Sequence, residues 1–192
     1  ISKTLTSSEV EKNRFTGLYI KATNMAMLEN TDKAILLYEQ CKQLRPGNAA
    51  TYYELSRLYA VKRNAQNAYS NAEKAYELNP SNKWYLLQRA IVLRATSQNE
   101  KAIVAYEELL EMDKKNLSAL YELAQLYQEN EKPKDAAETL SRIETISGKN
   151  PQMSYQKYML LMDAGEDKKA LEEIETLLKQ NPENGMGNLA MA

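Results

Sequence analysis

One residue type returns along this chain at a fixed spacing, and that spacing limits the possible folds more than any other feature. Alanine recurs every 34 residues without slippage, at Ala34, Ala68, Ala102, Ala136 and Ala170. Alanine makes up only 22 of the 192 residues, so five coincidences in one frame indicate a true internal repeat. The frame divides the chain into five repeats: 15–48, 49–82, 83–116, 117–150 and 151–184.

Each repeat is predicted to contain two helices joined by a short polar break. In the second repeat, Tyr52, Leu55 and Tyr59 recur three and four residues apart, which is the spacing of one helical stripe. Proline cannot occupy a helix interior, so Pro80 is expected to end the second helix of this repeat. In the fourth repeat, Pro133 is expected in the first turn of a second helix, where amides lack partners anyway. Three polar residues are expected to cap the second helices of the other repeats: Thr31, Asn99 and Asp167.

The segments that flank the repeats follow from the same frame. Residues 1–14 are predicted to form an N-terminal extension leading into the first helix. Residues 185–192 continue the pattern, with Met191 and Ala192 at the large and small positions of another first helix. We therefore expect 185–192 to be the start of a truncated sixth repeat, and the natural protein to continue with further repeats.

A 34-residue helix pair with these columns resembles the tetratricopeptide repeat (TPR) family. The clearest repeat shows the pattern Tyr52-x-x-Leu55-Ser56-x-x-Tyr59, followed by Ala68, Ala75 and Pro80. The resemblance covers residues 15–184 and implies an all-α fold, a right-handed superhelical solenoid of antiparallel helix pairs. It also implies a concave groove, lined mostly by the first helix of each repeat, that holds a peptide or a partner protein.

The fifth repeat departs from the pattern of the family. Ser154, Lys157 and Tyr158 stand where a large, a large and a small side chain are expected. Because Tyr158 occupies a position that normally allows close packing, we expect the last interface between repeats to be offset.

The resemblance places the fifth position of each repeat toward the groove, and four of the five residues there are tyrosine. Tyrosine combines a large ring with a hydroxyl and loses little rotamer entropy, which suits recognition. The candidate groove residues are Tyr19, Thr23, Tyr53, Arg57, Trp84, Leu87, Arg94, Tyr121, Gln125, Tyr155, Met159 and Met162. Two alternatives stay open: the tyrosines could serve only as packing groups, and Trp84 could pack on the preceding repeat instead of lying at the groove rim.

The composition of the chain excludes several kinds of catalytic and metal-binding site. The chain has no histidine and one cysteine, so it holds no Ser-His-Asp set, internal disulfide or zinc cluster of thiolates. Six scattered glycines do not form a phosphate-binding loop. We therefore expect no enzyme, with no catalytic, cofactor-binding or metal-binding residues. Cys41 is expected to fill the core, because it stands in a column of apolar residues.

Two clusters of carboxylates lie on the second helices of the third and fifth repeats. Their members are Glu107, Glu108, Glu111, Glu172, Glu173 and Glu175. A catalytic carboxylate needs burial or a close charge to shift its pKa. The helical pattern instead predicts that these clusters lie on solvated faces.

The charge of the chain narrows the range of partners. A net charge of −1 disfavours nucleic acid, and no apolar run is long enough for this segment to insert into a membrane. Residues 1–96 carry 14 basic and 8 acidic side chains, whereas residues 97–192 carry 11 and 18. This polarity predicts a weak head-to-tail self-association that salt suppresses.

These features lead to a non-catalytic protein–protein interaction module with a scaffold or adaptor role, binding a peptide or partner protein of unknown identity in its concave groove. The alternative is a regulatory or sensory TPR region of a larger polypeptide whose output domain lies outside this segment. Both a cytoplasmic and an exported location fit the sequence. A removed leader or an upstream region is compatible with a chain that starts at Ile1.

Overall fold

The structure is a computed structural model that describes residues 6–180 and 182–183. These residues form ten α-helices and contain no β-strand, which confirms the expected all-α fold. The helices are α1 Ser7–Met27, α2 Thr31–Leu44, α3 Ala49–Val61, α4 Ala65–Leu78, α5 Lys83–Ala95, α6 Asn99–Met112, α7 Leu117–Glu129, α8 Pro133–Ser147, α9 Pro151–Asp163 and α10 Asp167–Gln180. The first helix begins upstream of residue 15, and the segment 185–192 lies outside the described residues.

The chain separates into two compact units, which we call the N-terminal unit (residues 1–102) and the C-terminal unit (residues 103–192). In the N-terminal unit, α1 packs with α2 and α3 with α4, while α2 also contacts α3 and α4 contacts α5. In the C-terminal unit, α7 packs with α8, α9 packs with α10, and α8 contacts α9. Within each unit, the helices of a pair therefore pack against each other, and α2, α4 and α8 also pack against the first helix that follows them.

The turn inside each repeat has the same backbone in all five. One residue adopts a left-handed conformation with a positive φ between 55° and 69°: Glu29, Arg63, Ser97, Glu131 and Gly165. In the second repeat the amide of Asn64 donates to the carbonyl of Tyr59, and that of Arg63 donates to the carbonyl of Ala60. These two hydrogen bonds satisfy the free carbonyls at the end of the first helix, as in a Schellman motif.

The start of most helices is fixed by an asparagine cap. The Oδ1 atoms of Asn48, Asn82, Asn116 and Asn150, again 34 residues apart, each accept a backbone amide of the following first helix. At the second helix of the first repeat, the cap is Asn30 and not the expected Thr31, which is the first residue of α2. Pro133 is the first residue of α8, as expected, and α4 ends at Leu78, just before Pro80.

Repeated small residues lie in the core among buried leucine, isoleucine and tyrosine side chains. All five marker alanines are buried, and so is Cys41, as expected. In the second repeat, the hydroxyl of Ser56 donates to the carbonyl of Ala68 at 2.9 Å and accepts the amide of Gln88 at 3.1 Å. Because small side chains let the helices approach closely, this short polar chain can connect α3, α4 and α5.

A glutamate on the second helix of each of the first four repeats binds the first helix of the following repeat, and in the fourth it is Glu144, which binds Lys157. Tyr59 donates to Glu39 at 3.1 Å, and Tyr127 donates to Glu107. In the third repeat an arginine replaces the tyrosine as the partner of the glutamate: the Nε atom of Arg89 lies 2.8 Å from the Oε1 atom of Glu73. The interfaces between neighbouring repeats within each unit thus combine apolar packing with defined polar contacts.

Candidate functional site

None of the twelve candidate groove residues is buried. Those with exposed side chains are Arg57, Trp84, Tyr121, Gln125, Met159 and Met162. The others are half-buried: Tyr19, Thr23, Tyr53, Leu87, Arg94 and Tyr155. Every candidate side chain therefore has surface available for a ligand, although the half-buried ones also contribute to packing.

In the N-terminal unit, an aromatic pair joins neighbouring first helices. The ring centroids of Tyr53 on α3 and Tyr85 on α5 are 5.2 Å apart. The guanidinium carbon of Arg57 lies 5.7 Å from the centroid of the Tyr53 ring, one turn further along α3. An arginine held beside an aromatic ring can engage an acidic or a planar group through charge and through its flat face.

The charge of Arg57 is partly matched within the protein. Its Nη1 atom lies 3.0 Å from the Oε2 atom of Glu54. Burial raises the pKa of Glu54 above its usual value, and the charge and hydrogen bond of Arg57 act in the opposite direction. A ligand carboxylate would therefore compete with Glu54 for the guanidinium.

A groove with a volume of about 590 Å³ begins beside this pair. Its apolar walls come from α3 and α5, where Leu58, Val61 and Ile91 line it. The remaining lining residues are mostly polar or small: Ala26, Glu29, Thr31, Glu54, Arg57, Ala60 and Gln88. The groove can accept an apolar side chain and still offer hydrogen-bonding groups at its edge.

The first repeat contributes a more enclosed set of hydroxyls. Tyr19 meets the edge of the Tyr38 ring at a centroid distance of 5.2 Å, and the hydroxyls of Thr23 and Tyr38 are 2.9 Å apart. Burial raises the pKa of both tyrosines. Tyr19 is half-buried, so part of its side chain packs against Tyr38 and part of it remains accessible.

The C-terminal unit carries its own set of candidates. Tyr121 is 49% exposed, and Gln125, one turn along α7, donates to Glu129 at 2.8 Å. On α9, Tyr155 lies 5.9 Å from Tyr158, while Met159 and Met162 are exposed. Flexible methionines beside a tyrosine make an adaptable apolar surface.

The exposure of Trp84 and of the tyrosines bears on the two alternatives that the sequence leaves open. Trp84 is 57% exposed at the start of α5, with the Lys83 ammonium 5.5 Å from its ring centroid, so it is not packed into the core. Tyr53 is half-buried against Tyr85, whereas Tyr121 is exposed. The tyrosine column is therefore neither a pure core column nor a fully exposed one.

The carboxylates expected on solvated faces include one clear exception. Glu173 forms an ion pair with the buried Lys157, whose Nζ atom lies 2.8 Å from the Oε2 atom of Glu173. The same Nζ atom lies 2.7 Å from the Oε2 atom of Glu144. Burial by itself raises the pKa of Glu173, but the hydrogen bonds of Lys157 and Ser154 and the charges of Lys157 and Lys149 outweigh this, so the pKa is lowered. The prediction of a solvated face is therefore wrong for Glu173, because the cation at the unusual position of the fifth repeat binds it.

Sequence reasoning missed three contributors to the surface of the N-terminal unit: Tyr85, Glu54 and Val61. Tyr85 stands where Thr51 and Ala119 stand in neighbouring repeats, so no tyrosine column marks it. The contact with Tyr53 depends on how α3 and α5 face each other, which the repeat period does not specify. Glu54 could have been recognised from its position three residues before Arg57, because opposite charges at this spacing pair on a helix.

Among the described residues, no helix is long and apolar enough to cross a membrane. No group of three or more acidic or cysteine side chains in that part of the chain could hold a metal ion.

Comparisons with known proteins agree with this architecture. A family model described as subunit 3 of the anaphase-promoting complex, or cyclosome, matches residues 95–177. No curated protein sequence matches the chain. The match to the family model covers less than half of the chain and extends from the third to the fifth repeat.

Solved structures match over nearly the whole chain. The crystal structure of MamA protein has a TM-score of 0.74 at 15% identity, over 89% of this chain and 93% of that chain. YrrB, described as a TPR protein with an unusual peptide-binding site, has a TM-score of 0.72 at 16% identity, covering 96% of both chains. A tetratricopeptide repeat protein from Parabacteroides merdae ATCC 43184 has a TM-score of 0.71 at 18% identity, over 93% of this chain and 71% of that one. These matches confirm the fold expected from the repeat.

Proposed function

Because the chain has the tetratricopeptide-repeat fold, we propose that it is a non-catalytic module that binds a peptide or protein segment through its candidate groove residues. The observation that carries the proposal is the accessibility of all twelve candidate side chains, every one of which lies on the first helix of a repeat. A peptide-binding site is part of the description of YrrB, whose fold is similar, and supports the same kind of function here.

In the N-terminal unit, the ligand is proposed to place an apolar side chain in the groove beside Ile91 and Val61 and an acidic or planar group near Arg57. The apolar walls of the groove favour the first contact. The ring of Tyr53 holds Arg57 in position for the second. Competition from Glu54 makes the acidic contact selective, because only a well-placed carboxylate would displace it.

In the C-terminal unit, the exposed ring of Tyr121 is proposed to be an independent anchor. An aromatic side chain that is accessible in the free protein can be covered by a ligand at little entropic cost. Met159 and Met162 would adapt to the adjoining part of the ligand. The role is that of a scaffold or adaptor, since binding and not chemistry is what these groups provide.

The test is a selection from a random peptide library on the purified chain, followed by affinity measurements with the best peptides. Replacing Tyr53 and Tyr121 together by alanine should weaken binding by about 2 kcal/mol or more, as for interface anchors generally. The matched control is Tyr52→Ala, which removes the neighbouring tyrosine of α3 whose hydroxyl donates to Pro46 at 3.0 Å. Tyr52 lines a different cavity, so this control should leave the affinity unchanged.

Thermal unfolding of the same variants separates recognition from packing. If the tyrosines serve only as packing groups, the double variant will lose stability and keep its affinity for the selected peptides. That result would contradict the proposed function. So would a failure to select any peptide that shields the candidate groove residues from chemical labelling of their side chains.

A further inference from the structure

A further cavity lies in the C-terminal unit, and none of the twelve candidate groove residues lines it. It has a volume of about 340 Å³ and lies between the loop that follows α6 and the last turns of α8. Its lining residues are Lys114, Lys115, Arg142, Thr145 and Ile146. Three of these five side chains are cationic, although residues 97–192 carry 18 acidic against 11 basic side chains.

The three cations differ from the lysines of the same unit that form ion pairs, and they share a cavity that Lys168 and Lys179, which also form no ion pair among the described residues, do not line. Lys134 and Lys169 each pair with Glu166, and Lys157 lies between two glutamates. In contrast, Lys114, Lys115 and Arg142 make no ion pair within residues 6–180 and 182–183. Like charges repel, so three cations that line one cavity without an ion pair favour an anion between them.

The repeats provide an internal reference for this cavity. Arg142 occupies the position of Lys74 in the second repeat, where Glu77 three residues later pairs with the lysine at 2.9 Å. In the fourth repeat, Thr145 stands in the place of Glu77, so the counter-charge is missing.

The loop changes in the same direction. Lys114 stands where the other repeats have proline or glycine: Pro46, Pro80, Gly148 and Pro182. Two substitutions at separate places in the chain, one adding a cation and one removing an acid, thus converge on a single cavity. Lys115 adds a third positive charge beside them.

We propose that this cavity binds a phosphate group. A phosphate carries close to two negative charges and three acceptor oxygens, which suits three cations better than a single carboxylate does. The guanidinium of Arg142 supplies a fork of donors for two oxygens, and the two ammonium groups supply point charges for the third. The hydroxyl of Thr145 already donates to the carbonyl of Arg142 at 2.7 Å and is not needed as a donor.

The site is separate from the proposed peptide surface, and either can fail without the other. The phosphate could be free in solution or carried by a phosphorylated side chain of a partner protein. The chemistry of recognition is the same in both cases, and the experiment distinguishes the two sources.

The test is a titration followed by the backbone amide signals of the full chain in two-dimensional NMR, at constant ionic strength maintained with chloride. The probes are inorganic phosphate, a short phosphoserine peptide and a tetraglutamate peptide. We expect saturable shifts for residues 114–116 and 142–146 with the first two probes. The affinity that these shifts report should fall about tenfold or more in the triple variant Lys114→Gln, Lys115→Gln and Arg142→Gln, because the charge-assisted hydrogen bonds are lost.

The matched control removes three exposed lysines of the same unit that do not line the cavity: Lys149, Lys168 and Lys179, each replaced by glutamine. It changes the net charge equally and should bind phosphate as the unmodified chain does. Tighter binding of the phosphoserine peptide than of inorganic phosphate would identify a phosphorylated partner as the source, and equal binding would identify the free anion. Equal weakening in both triple variants, or equal affinity for tetraglutamate, would overturn the proposal.

Discussion

Lys157 shows how a single charged side chain is accommodated inside this fold. Its side chain is only 7% exposed, and its ammonium lies 2.7 Å from Glu144 on α8 and 2.8 Å from Glu173 on α10. The second and fourth repeats have Leu55 and Leu123 at this position. An ion cluster has replaced apolar packing in the fifth repeat, and its three members depend on one another.

Replacing Lys157 by leucine should therefore destabilise the chain, although leucine is the residue used at this position in other repeats. The change leaves two buried carboxylates without a cation, and breaking a buried pair in this way costs about 3 kcal/mol. Chemical denaturation measures the loss. Adding Glu144→Gln and Glu173→Gln to Lys157→Leu should recover much of it, whereas Lys168→Leu at an exposed position should change little. An unchanged midpoint for Lys157→Leu would contradict this account.

The same cluster makes stability depend on pH. The pKa of Glu173 is lowered in the folded chain from a reference of 4.5, so its ionised form stabilises the fold above that value. This contribution disappears as the pH falls through the folded pKa. The difference in unfolding free energy between the unmodified chain and Glu173→Gln should be largest at neutral pH and shrink below pH 4.5. The control is Glu175→Gln, which removes an exposed carboxylate of the same helix and should change the free energy of unfolding little.

At the scale of the elements, the turn inside each repeat combines a constant backbone with a variable residue. The left-handed position is glycine only in the fifth repeat, at Gly165, and holds Glu29, Arg63, Ser97 and Glu131 in the others. A side chain at a positive φ is strained, because its Cβ approaches the following carbonyl. The Schellman hydrogen bonds and the packing of the two helices hold these residues in place.

Substitution of Glu131 by glycine should then stabilise the chain slightly, or leave it unchanged, in spite of the freedom that glycine gains on unfolding. The relief of strain is about 1 kcal/mol, and the entropic loss offsets part of it. Gly165→Ala introduces the strain without any other change, since a Cβ there meets no atom within 4 Å, and should lower stability by about 1 kcal/mol. Thermal unfolding of the two variants checks both signs. A stabilising Gly165→Ala would show that the fifth turn rearranges.

Elements were more predictable from the sequence than contacts between them. The period of 34 predicts ten helices, and Pro80 and Pro133 lie next to the observed ends. The cap at Thr31 was wrong by one residue, because capping depends on the backbone that follows a left-handed turn residue. The candidate groove column was recognisable from its tyrosines, but the Tyr53–Tyr85 pair and the Lys157 cluster depend on how neighbouring helices face each other. A repeat period carries no information about that orientation.

At the scale of the whole molecule, the separation of charge is the dominant feature. Residues 1–96 carry an excess of six positive charges and residues 97–192 an excess of seven negative charges, from 14 against 8 and 11 against 18. We propose that the basic part of one molecule attracts the acidic part of another. The attraction is long-ranged only when few ions screen it, since the screening length is about 10 Å at 0.1 M salt.

Sedimentation velocity at high protein concentration should show a larger average mass at low salt than at high salt. Exchanging Lys12, Lys33 and Lys62 for glutamate reduces the positive excess and should abolish the difference. The same monomer at both salt concentrations would contradict the proposed self-association. A variant in which acidic and basic residues are exchanged in equal numbers within residues 1–96 is the control for charge number alone.

The common spacing of caps, marker alanines and left-handed turn residues has a consequence for how such a gene can change. Deleting one residue inside α3 would rotate everything beyond it by about 100° around the helix axis, and would move the capping and turn positions out of phase with their neighbours. Adding or removing a complete repeat leaves every phase intact. We therefore expect natural variation to alter the number of repeats through duplication and recombination, while the length of each inherited repeat stays constant.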